Sequence, residues 1–187
     1  MIGIALMGAG RMARTHAKAI GAAGGRLVSV CDVVESAAKS LAADFGATAA
    51  ASAEEAFDRP DVAAVLVVTS SNTHVDLIIK AVQAGKAVMC EKPLAPDLSD
   101  AQRCINVLGS QANSVFLAFN RRFDSGHAEL KKGIDLGEIG SLEQLTITSR
   151  DPAPPPLDYI PNSGGLFRDM MIHDGRGGSI SSVEETY

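Results

Sequence analysis

The sequence contains no tryptophan, two tyrosines and only three cysteines. The spacing of the cysteines, Cys31, Cys90 and Cys104, fits neither a disulfide framework nor a zinc site. We therefore expect a protein of the reducing cytoplasm that binds no metal. The apolar run at residues 2–7 is too short to span a membrane, and no positively charged residue precedes it as in a signal peptide.

Basic residues are too few and too scattered for a protein that binds nucleic acids or membrane surfaces. Lysine and arginine total 17 against 22 aspartates and glutamates, which gives a formal net charge of −5. Neither nucleic acid nor an anionic membrane is therefore an expected partner. What the chain does have is a hydrophobic fraction of 46% over 187 residues, enough for one domain, or for one domain and part of a second.

Apolar runs and helical patterns alternate through the first part of the chain. Strand-like runs occupy residues 2–7, 27–32, 62–70, 86–91 and 114–120, and helical patterns occupy residues 11–24, 35–46, 74–85 and 97–109. Ser52 and Glu55 form a capping box that predicts one more short helix. The alternation indicates βαβ units, so we predict an α/β fold with a doubly wound parallel sheet over residues 1–120. His16, in the first helix, is interpreted as structural.

The pattern changes after residue 120. A polar helix is predicted over residues 124–140, and His127 within it is interpreted as solvated. Residues 142–150 alternate like a half-exposed strand, and the proline-rich residues 151–161 indicate a stiff connector.

A glycine-rich loop follows the first predicted strand. Gly8, Gly10 and Ala13 have the spacing G-x-G-x-x-A, in which the first glycine permits a tight turn and the second lets a diphosphate approach the backbone. The backbone N–H groups of Arg11 and Met12 would then face the phosphates at the positive end of the following helix. The alternative is a glycine turn in an unrelated α/β protein.

Asp32 ends the second predicted strand, 22 residues after Gly10. An acid at this position binds the 2′-hydroxyl of a cofactor ribose in dinucleotide-binding folds. Its charge would repel a 2′-phosphate, and Val33 and Val34 supply no cation, so NAD is favoured over NADP. The alternative is a strand-end aspartate that caps the next helix.

Two further motifs carry groups suited to proton transfer. In the stretch Cys90–Pro93, at the end of a predicted strand, Pro93 holds Lys92 extended so that its amine can bond a substrate hydroxyl. The alternative is a surface lysine in a turn. Asp169 and His173 are one helical turn apart and share a face of the helix, so Asp169 can orient the imidazole of His173. His173 could then remove a hydroxyl proton. The alternative there is an ion pair on the surface of a helix.

The sequence resembles the Gfo/Idh/MocA oxidoreductases in three motifs and in their order. These motifs are the G-x-G-x-x-A loop, "CEKPLA" at residues 90–95 and the Asp-x-x-x-His-Asp stretch at residues 169–174. "FNRRFDSG", "ITSRDPAPP" and "SGGLFRDMMIHD" look most like family members that oxidise myo-inositol. The resemblance implies an NAD-binding Rossmann domain over residues 1–120. It also implies the start of an α+β substrate domain over residues 121–174, whose largely antiparallel sheet joins the subunits of the family's oligomers.

The resemblance further implies a reaction and a site. Family members oxidise a ring hydroxyl of a sugar or polyol and pass hydride to nicotinamide, which would here convert myo-inositol to the 2-keto inositol. The implied catalytic residues are Lys92, Asp169 and His173, which also bind the small-molecule substrate together with Arg121. The cofactor-binding residues indicated by the motifs and the resemblance are Gly8, Gly10, Arg11, Met12, Asp32, Thr69, Ser70, Asn72, His74 and Glu91.

The chain departs from the family after Asp174. Family members continue well beyond this motif, whereas residues 175–187 here form a tail with neither periodicity nor core residues. We therefore expect the substrate domain to be cut short, which leaves the oligomeric state open. Two hypotheses follow: an NAD-dependent dehydrogenase of inositol or of another sugar or polyol, and a non-catalytic NAD-binding fragment of such an enzyme.

Overall fold

The computed structural model describes residues 1–148, 150, 153, 154, 157, 165 and 172–175. The chain divides into two compact units, Met1–Ala118 and Phe119–Tyr187. No helix in these described ranges is long and apolar enough to cross a membrane. The domain limits predicted at residues 120 and 174 stay predictions, and all but the first residue of the predicted tail lies outside the described residues.

The first unit contains a six-stranded sheet in which every neighbouring pair of strands is parallel. Its strands are β1 (Gly3–Met7), β2 (Arg26–Cys31), β3 (Thr48–Ala49), β4 (Ala64–Val67), β5 (Ala87–Cys90) and β6 (Val115–Leu117). Their order across the sheet, β3-β2-β1-β4-β5-β6, confirms the predicted doubly wound fold. The order reverses between β1 and β4, and ligands of such sheets bind in the crevice at the carboxyl ends of the strands there.

Helices cover both faces of this sheet. They are α1 (Arg11–Ala22), α2 (Glu35–Asp44), α3 (Ala53–Phe57), α4 (His74–Gln83) and α5 (Leu98–Leu108). Leu6 packs with α1 and α2, whereas Ala5 and Met7 pack with α3, α4 and α5. Because successive side chains of a strand point to opposite faces, β1 contributes to both cores. The predicted strands and helices of this unit are confirmed to within a few residues at their ends.

The capping box forms at the start of α3. Ser52 Oγ accepts the backbone N–H of Glu55 at 3.1 Å, and Glu55 Oε2 accepts the N–H of Ala51 at 2.7 Å. The preceding strand, β3, is absent from the sequence prediction. It has only two residues, and its pairing with β2 is what defines it as a strand.

The second unit contains α6 (Ser125–Asp135) and the short helix α7 (Ile172–Gly175). The polar helix is thus confirmed, but it ends before the predicted limit at residue 140. The chain turns at Gly137, whose φ of +73° is a conformation that favours glycine and that ends many helices.

The strand predicted over residues 142–150 is wrong for the residues described there, 142–148 and 150, which belong to no sheet. Their alternating pattern suits a half-buried strand. A strand also needs a neighbour whose N–H and C=O groups complete its hydrogen bonds, and no described segment supplies one. Most of the proline-rich residues 151–161 lie outside the described part of the chain.

Candidate functional site

The glycine loop between β1 and α1 has the form that its spacing predicts. Gly8 has a φ of +105°, and a Cβ there would lie 2.8 Å from the carbonyl oxygen of Val68. The N–H of Gly8 donates to the carbonyl oxygen of Cys31 at 2.7 Å. A side chain at Gly8 would therefore strain the turn and push the loop away from the segment that follows β4.

The space in front of α1 is open. Gly10 directly precedes this twelve-residue helix, and a Cβ built on Gly10 would meet no atom within 4 Å. The first turn, which includes Arg11 and Met12, has no side-chain cap and no acidic residue. Ala13 is fully buried, which lets the helix pack closely on the sheet. These features fit a diphosphate bound by backbone N–H groups at the positive end of the helix.

Asp32 connects this loop to the end of β2. Its Oδ2 accepts the backbone N–H of Ala9 at 2.7 Å, and its Oδ1 accepts that of Val34 at 2.8 Å. Val34 is the N-cap residue of α2, so Asp32 also accepts an N–H at the start of that helix, as the capping alternative predicts. Each carboxylate oxygen keeps a second lone pair and the residue is partly exposed, so a ribose hydroxyl can still donate to it.

The segment after β4 runs along the same edge of the sheet. The hydroxyls of Thr69 and Thr73 share a hydrogen bond of 2.7 Å, and Thr73 Oγ1 also lies 2.8 Å from the carbonyl oxygen of Ser70. Ser70 and Asn72 are exposed and Thr69 is half-buried, so their polar groups are accessible to a ligand. Their contacts with a cofactor stay predictions.

His74 differs from these neighbours because its side chain is buried, with 2% of the residue exposed. Nδ1 lies 2.8 Å from the carbonyl oxygen of Pro93, and Nε2 lies 3.0 Å from that of Thr69. Both ring nitrogens thus contact the backbone rather than the open space above the sheet edge. An influence of His74 on a cofactor would therefore pass through Thr69 and Pro93.

Glu91 and Lys92 follow β5. Glu91 Oε1 lies 2.7 Å from Nε2 of His16 in α1, and Glu91 Oε2 accepts the N–H of Lys92 at 3.2 Å. The side chains of His16 and Glu91 are 16% and 19% exposed. Burial raises the pKa of Glu91, but the hydrogen bonds and charges of His16 and Lys92 together hold that pKa below its ordinary value. His16 therefore links α1 to the turn that follows β5, and its structural role stays a prediction.

The structure thus brings the predicted cofactor-binding residues of the first unit to one edge of the sheet. Gly8, Asp32, Thr69 and Glu91 each follow within two residues of the carboxyl end of a strand, namely β1, β2, β4 and β5. Because these strands are parallel, residues from distant parts of the sequence line the same crevice.

The second unit contains an open pocket of about 480 Å³ lined by Asn120, Arg121, Phe123, Asp124, His127 and His173. Two predicted substrate-binding residues, Arg121 and His173, therefore lie in one pocket. His173 Nδ1 is 3.2 Å from Oδ1 of Asn120, which is 53 residues away in the sequence. Asn120 was not predicted, because nothing in the sequence relates it to His173.

A chain of polar contacts holds Arg121 in this pocket. Arg121 Nη1 lies 3.3 Å from His127 Nε2, and His127 Nδ1 lies 2.7 Å from Asp124 Oδ1. Because the carboxylate only accepts, Nδ1 carries a proton, and a neutral ring then accepts from Arg121 through Nε2. The hydrogen bond from His127 lowers the pKa of Asp124. The side chain of His127 is 32% exposed, so it is partly solvated and also has two hydrogen-bonding partners.

The remaining predicted catalytic residue, Asp169, lies outside the described residues. Its pairing with His173 and its role in catalysis therefore stay predictions. The prediction that His173 is helical is confirmed by α7, which contains it.

Comparison with known proteins relates this geometry to a family. Residues 2–119 match the Gfo/Idh/MocA family model, described as "Oxidoreductase family, NAD-binding Rossmann fold". Inositol 2-dehydrogenase of Rhizobium meliloti (strain 1021) is 46% identical over 171 residues, which are 90% of this chain and 51% of that protein. The chain thus spans about half the length of the curated relatives it matches.

Solved structures give the same result. A myo-inositol dehydrogenase from Corynebacterium glutamicum ATCC 13032 has 46% identity and a TM-score of 0.87, over 93% of this chain and 53% of the other. Myo-inositol dehydrogenase from Lactobacillus casei, in complex with NAD(H) and myo-inositol, has 29% identity and a TM-score of 0.71, over 75% of this chain and 43% of the other. The chain therefore belongs to the Gfo/Idh/MocA oxidoreductase family, and its residues 2–119 form the NAD-binding Rossmann domain of that family.

Proposed function

We propose that this protein oxidises a ring hydroxyl of myo-inositol to give the 2-keto inositol, with NAD as the hydride acceptor. The observation that carries the proposal is the open glycine loop, connected to Asp32 through Ala9, in a chain 46% identical to an inositol 2-dehydrogenase. Inositol is a small polyol with no charge, so its recognition requires hydrogen-bonding side chains rather than a charged patch.

The residues of the first unit fit NAD. The N–H groups of Arg11 and Met12 would hold its phosphates, and Asp32 would accept from the adenosine ribose. Val33 is fully exposed and Val34 is exposed, so neither residue offers a cation to a 2′-phosphate. We propose that Thr69, Ser70, Asn72 and Glu91 are on the nicotinamide side, with His74 acting behind them.

The side chains proposed for catalysis divide the proton chemistry among them. When bound, NAD supplies the acceptor for the hydride that leaves the carbinol carbon. His173 takes the hydroxyl proton on a ring nitrogen, and Asp169 stabilises the charged ring that results. Lys92 donates a hydrogen bond to the same oxygen, and its charge lowers the pKa of that hydroxyl. Arg121 donates to a neighbouring hydroxyl of the ring.

The second candidate function is NAD binding without turnover. The observation that favours it is the match of residues 2–119 to a family model that describes the NAD-binding domain. Within the first candidate, another sugar or polyol is the alternative substrate, and assembly into oligomers stays a family expectation. The three cysteines are free, which suits the reducing cytoplasm in which we propose that the protein acts.

The test is NADH formation at 340 nm by the purified chain with NAD and myo-inositol, compared with scyllo-inositol. We expect a rate that falls at least about 100-fold in His173→Ala and in Lys92→Ala, because each removes a group used in proton transfer. Binding of NADH without measurable oxidation of inositol would favour the second candidate. The absence of both NADH binding and inositol oxidation would overturn the proposal.

A further inference from the structure

Two histidines at the sheet edge have no role in the proposed chemistry. His16 lies in α1, behind the phosphate loop, and His74 is the first residue of α4. His16 is largely buried and His74 is fully buried. His16 contacts the turn that follows β5, and His74 contacts both that turn and the segment that follows β4. Each imidazole therefore connects parts of the edge that are distant in sequence.

The first connection runs from α1 to the turn after β5. His16 Nε2 and Glu91 Oε1 are 2.7 Å apart and 75 residues apart in the sequence. The other carboxylate oxygen of Glu91 accepts the N–H of Lys92 at 3.2 Å. The position of the Lys92 backbone is thus set by a carboxylate that is itself held by the phosphate-loop helix.

The second connection runs from the segment after β4 to the same turn. His74 Nδ1 contacts the carbonyl oxygen of Pro93 at 2.8 Å, and His74 Nε2 contacts that of Thr69 at 3.0 Å. The ring is 2% exposed, so water does not compete for these contacts. The turn Glu91–Pro93 is therefore held at its first residue by His16 and at its last by His74.

The sheet order indicates which half of NAD this turn faces. Asp32, at the end of β2, would bind the adenosine ribose on one side of the reversal between β1 and β4. The ends of β4 and β5 are on the other side, where the nicotinamide half would extend. The adenosine and diphosphate groups would be bound at β2, β1 and the start of α1, so we expect the turn after β5 to lie nearer the nicotinamide half.

We infer that His16 and His74 are positioning residues that fix the Glu91–Pro93 turn, and with it Lys92, for the nicotinamide half of the cofactor. The inference rests on the proposed binding of NAD. It assigns Glu91 a role as the link between His16 and Lys92, and it separates residues that bind the adenosine half from residues that order the nicotinamide half.

The test compares NADH with ADP-ribose, which lacks the nicotinamide ring, as ligands of the 187-residue chain. We expect His74→Ala and His16→Leu to weaken NADH binding about tenfold, which is the effect of losing one or two hydrogen bonds. We expect the same variants to weaken ADP-ribose binding by less than about twofold. His16→Gln keeps a donor near Nε2 and His74→Asn keeps one near Nδ1, so both should recover most of the NADH affinity. Lys80→Ala, which removes an exposed ion pair elsewhere on α4, is the matched control.

The two ligands also separate the possible failures. Equal weakening of NADH and ADP-ribose in the histidine variants would mean a general structural role and would overturn the inference alone. Failure of the unaltered chain to bind either ligand would overturn the proposed NAD binding, and the inference with it. If His74→Ala does not fold, the binding of NADH and ADP-ribose by His16→Leu and His16→Gln tests the inference in the same way.

Discussion

The carboxylate of Asp32 accepts the backbone N–H of Ala9 at 2.7 Å, across 23 residues of sequence. The side chain that we propose as the acceptor of a ribose hydroxyl therefore also fixes the loop that would hold the phosphates. Ala9 lies between the two glycines of this loop, so a change at Asp32 should affect the loop as well as the proposed ribose contact.

We predict that Asp32→Ala weakens NAD binding at least about tenfold, because it removes hydrogen bonds to a charged group. NADP binding should weaken less, since the carboxylate that repels the 2′-phosphate is also removed. Calorimetric titration of both cofactors measures the change. Asp44→Ala, which breaks an exposed ion pair with Arg14, is the control. An unchanged ratio of the two affinities would contradict the assigned position of the ribose.

Gly8 and Gly10 should respond differently to the same substitution. Gly8→Ala places a Cβ at φ +105° and 2.8 Å from a backbone oxygen, so we expect it to lower the free energy of unfolding by about 1–3 kcal/mol. Gly10→Ala meets no protein atom, so it should fold normally and weaken NADH binding by occupying the phosphate space. Urea denaturation and NADH titration of both variants measure these effects. Equal loss of stability in the two would refute this account of the loop.

The Glu91–His16 pair should make stability depend on pH in acid. The pKa of Glu91 is lowered in the folded protein from an ordinary value near 4.5, so its contribution is present above that pH and is lost as the pH falls through the folded pKa. We expect Glu91→Gln to be less stable by about 1 kcal/mol above pH 5, and the difference to shrink below pH 4.5.

Denaturant midpoints measured from pH 6 to pH 3 test this prediction. Glu35→Gln is the matched control, because Glu35 pairs with Lys39 on an exposed helix face where solvent screens the interaction. A constant difference between Glu91→Gln and the unaltered chain over this range would show that Glu91 does not titrate as described.

Asp124 should stabilise both the start of α6 and the orientation of Arg121. Its Oδ1 accepts the N–H of His127 at 3.0 Å and contacts His127 Nδ1 at 2.7 Å. We predict that Asp124→Ala speeds amide hydrogen exchange in the first turn of α6 roughly fivefold, the effect of losing a helix cap. Asp124→Asn, which can still cap the helix, should change it little. Equal exchange in the three proteins would mean that this cap does not stabilise the helix.

Much of the first unit can be predicted from the sequence because its signals are local. The spacing of Gly8, Gly10 and Asp32 lies within one βαβ unit, and the Ser52–Glu55 box lies within one turn of helix. The strand predicted over residues 142–150 is wrong because a strand depends on a partner that is not local in the sequence. Its alternating pattern is local, whereas the neighbouring strand that it requires would come from elsewhere.

Sequence alone determined the order of the strands and helices in the first unit apart from β3, the phosphate loop and the acid at the end of β2. These depend on side-chain period and on the conformational freedom of glycine, which act over a few residues. Tertiary structure alone decided that His16 meets Glu91, that His74 joins Thr69 to Pro93, and that Asn120 contacts His173. The partner in each such contact is chosen by tertiary packing, which brings together groups up to 75 residues apart in the sequence.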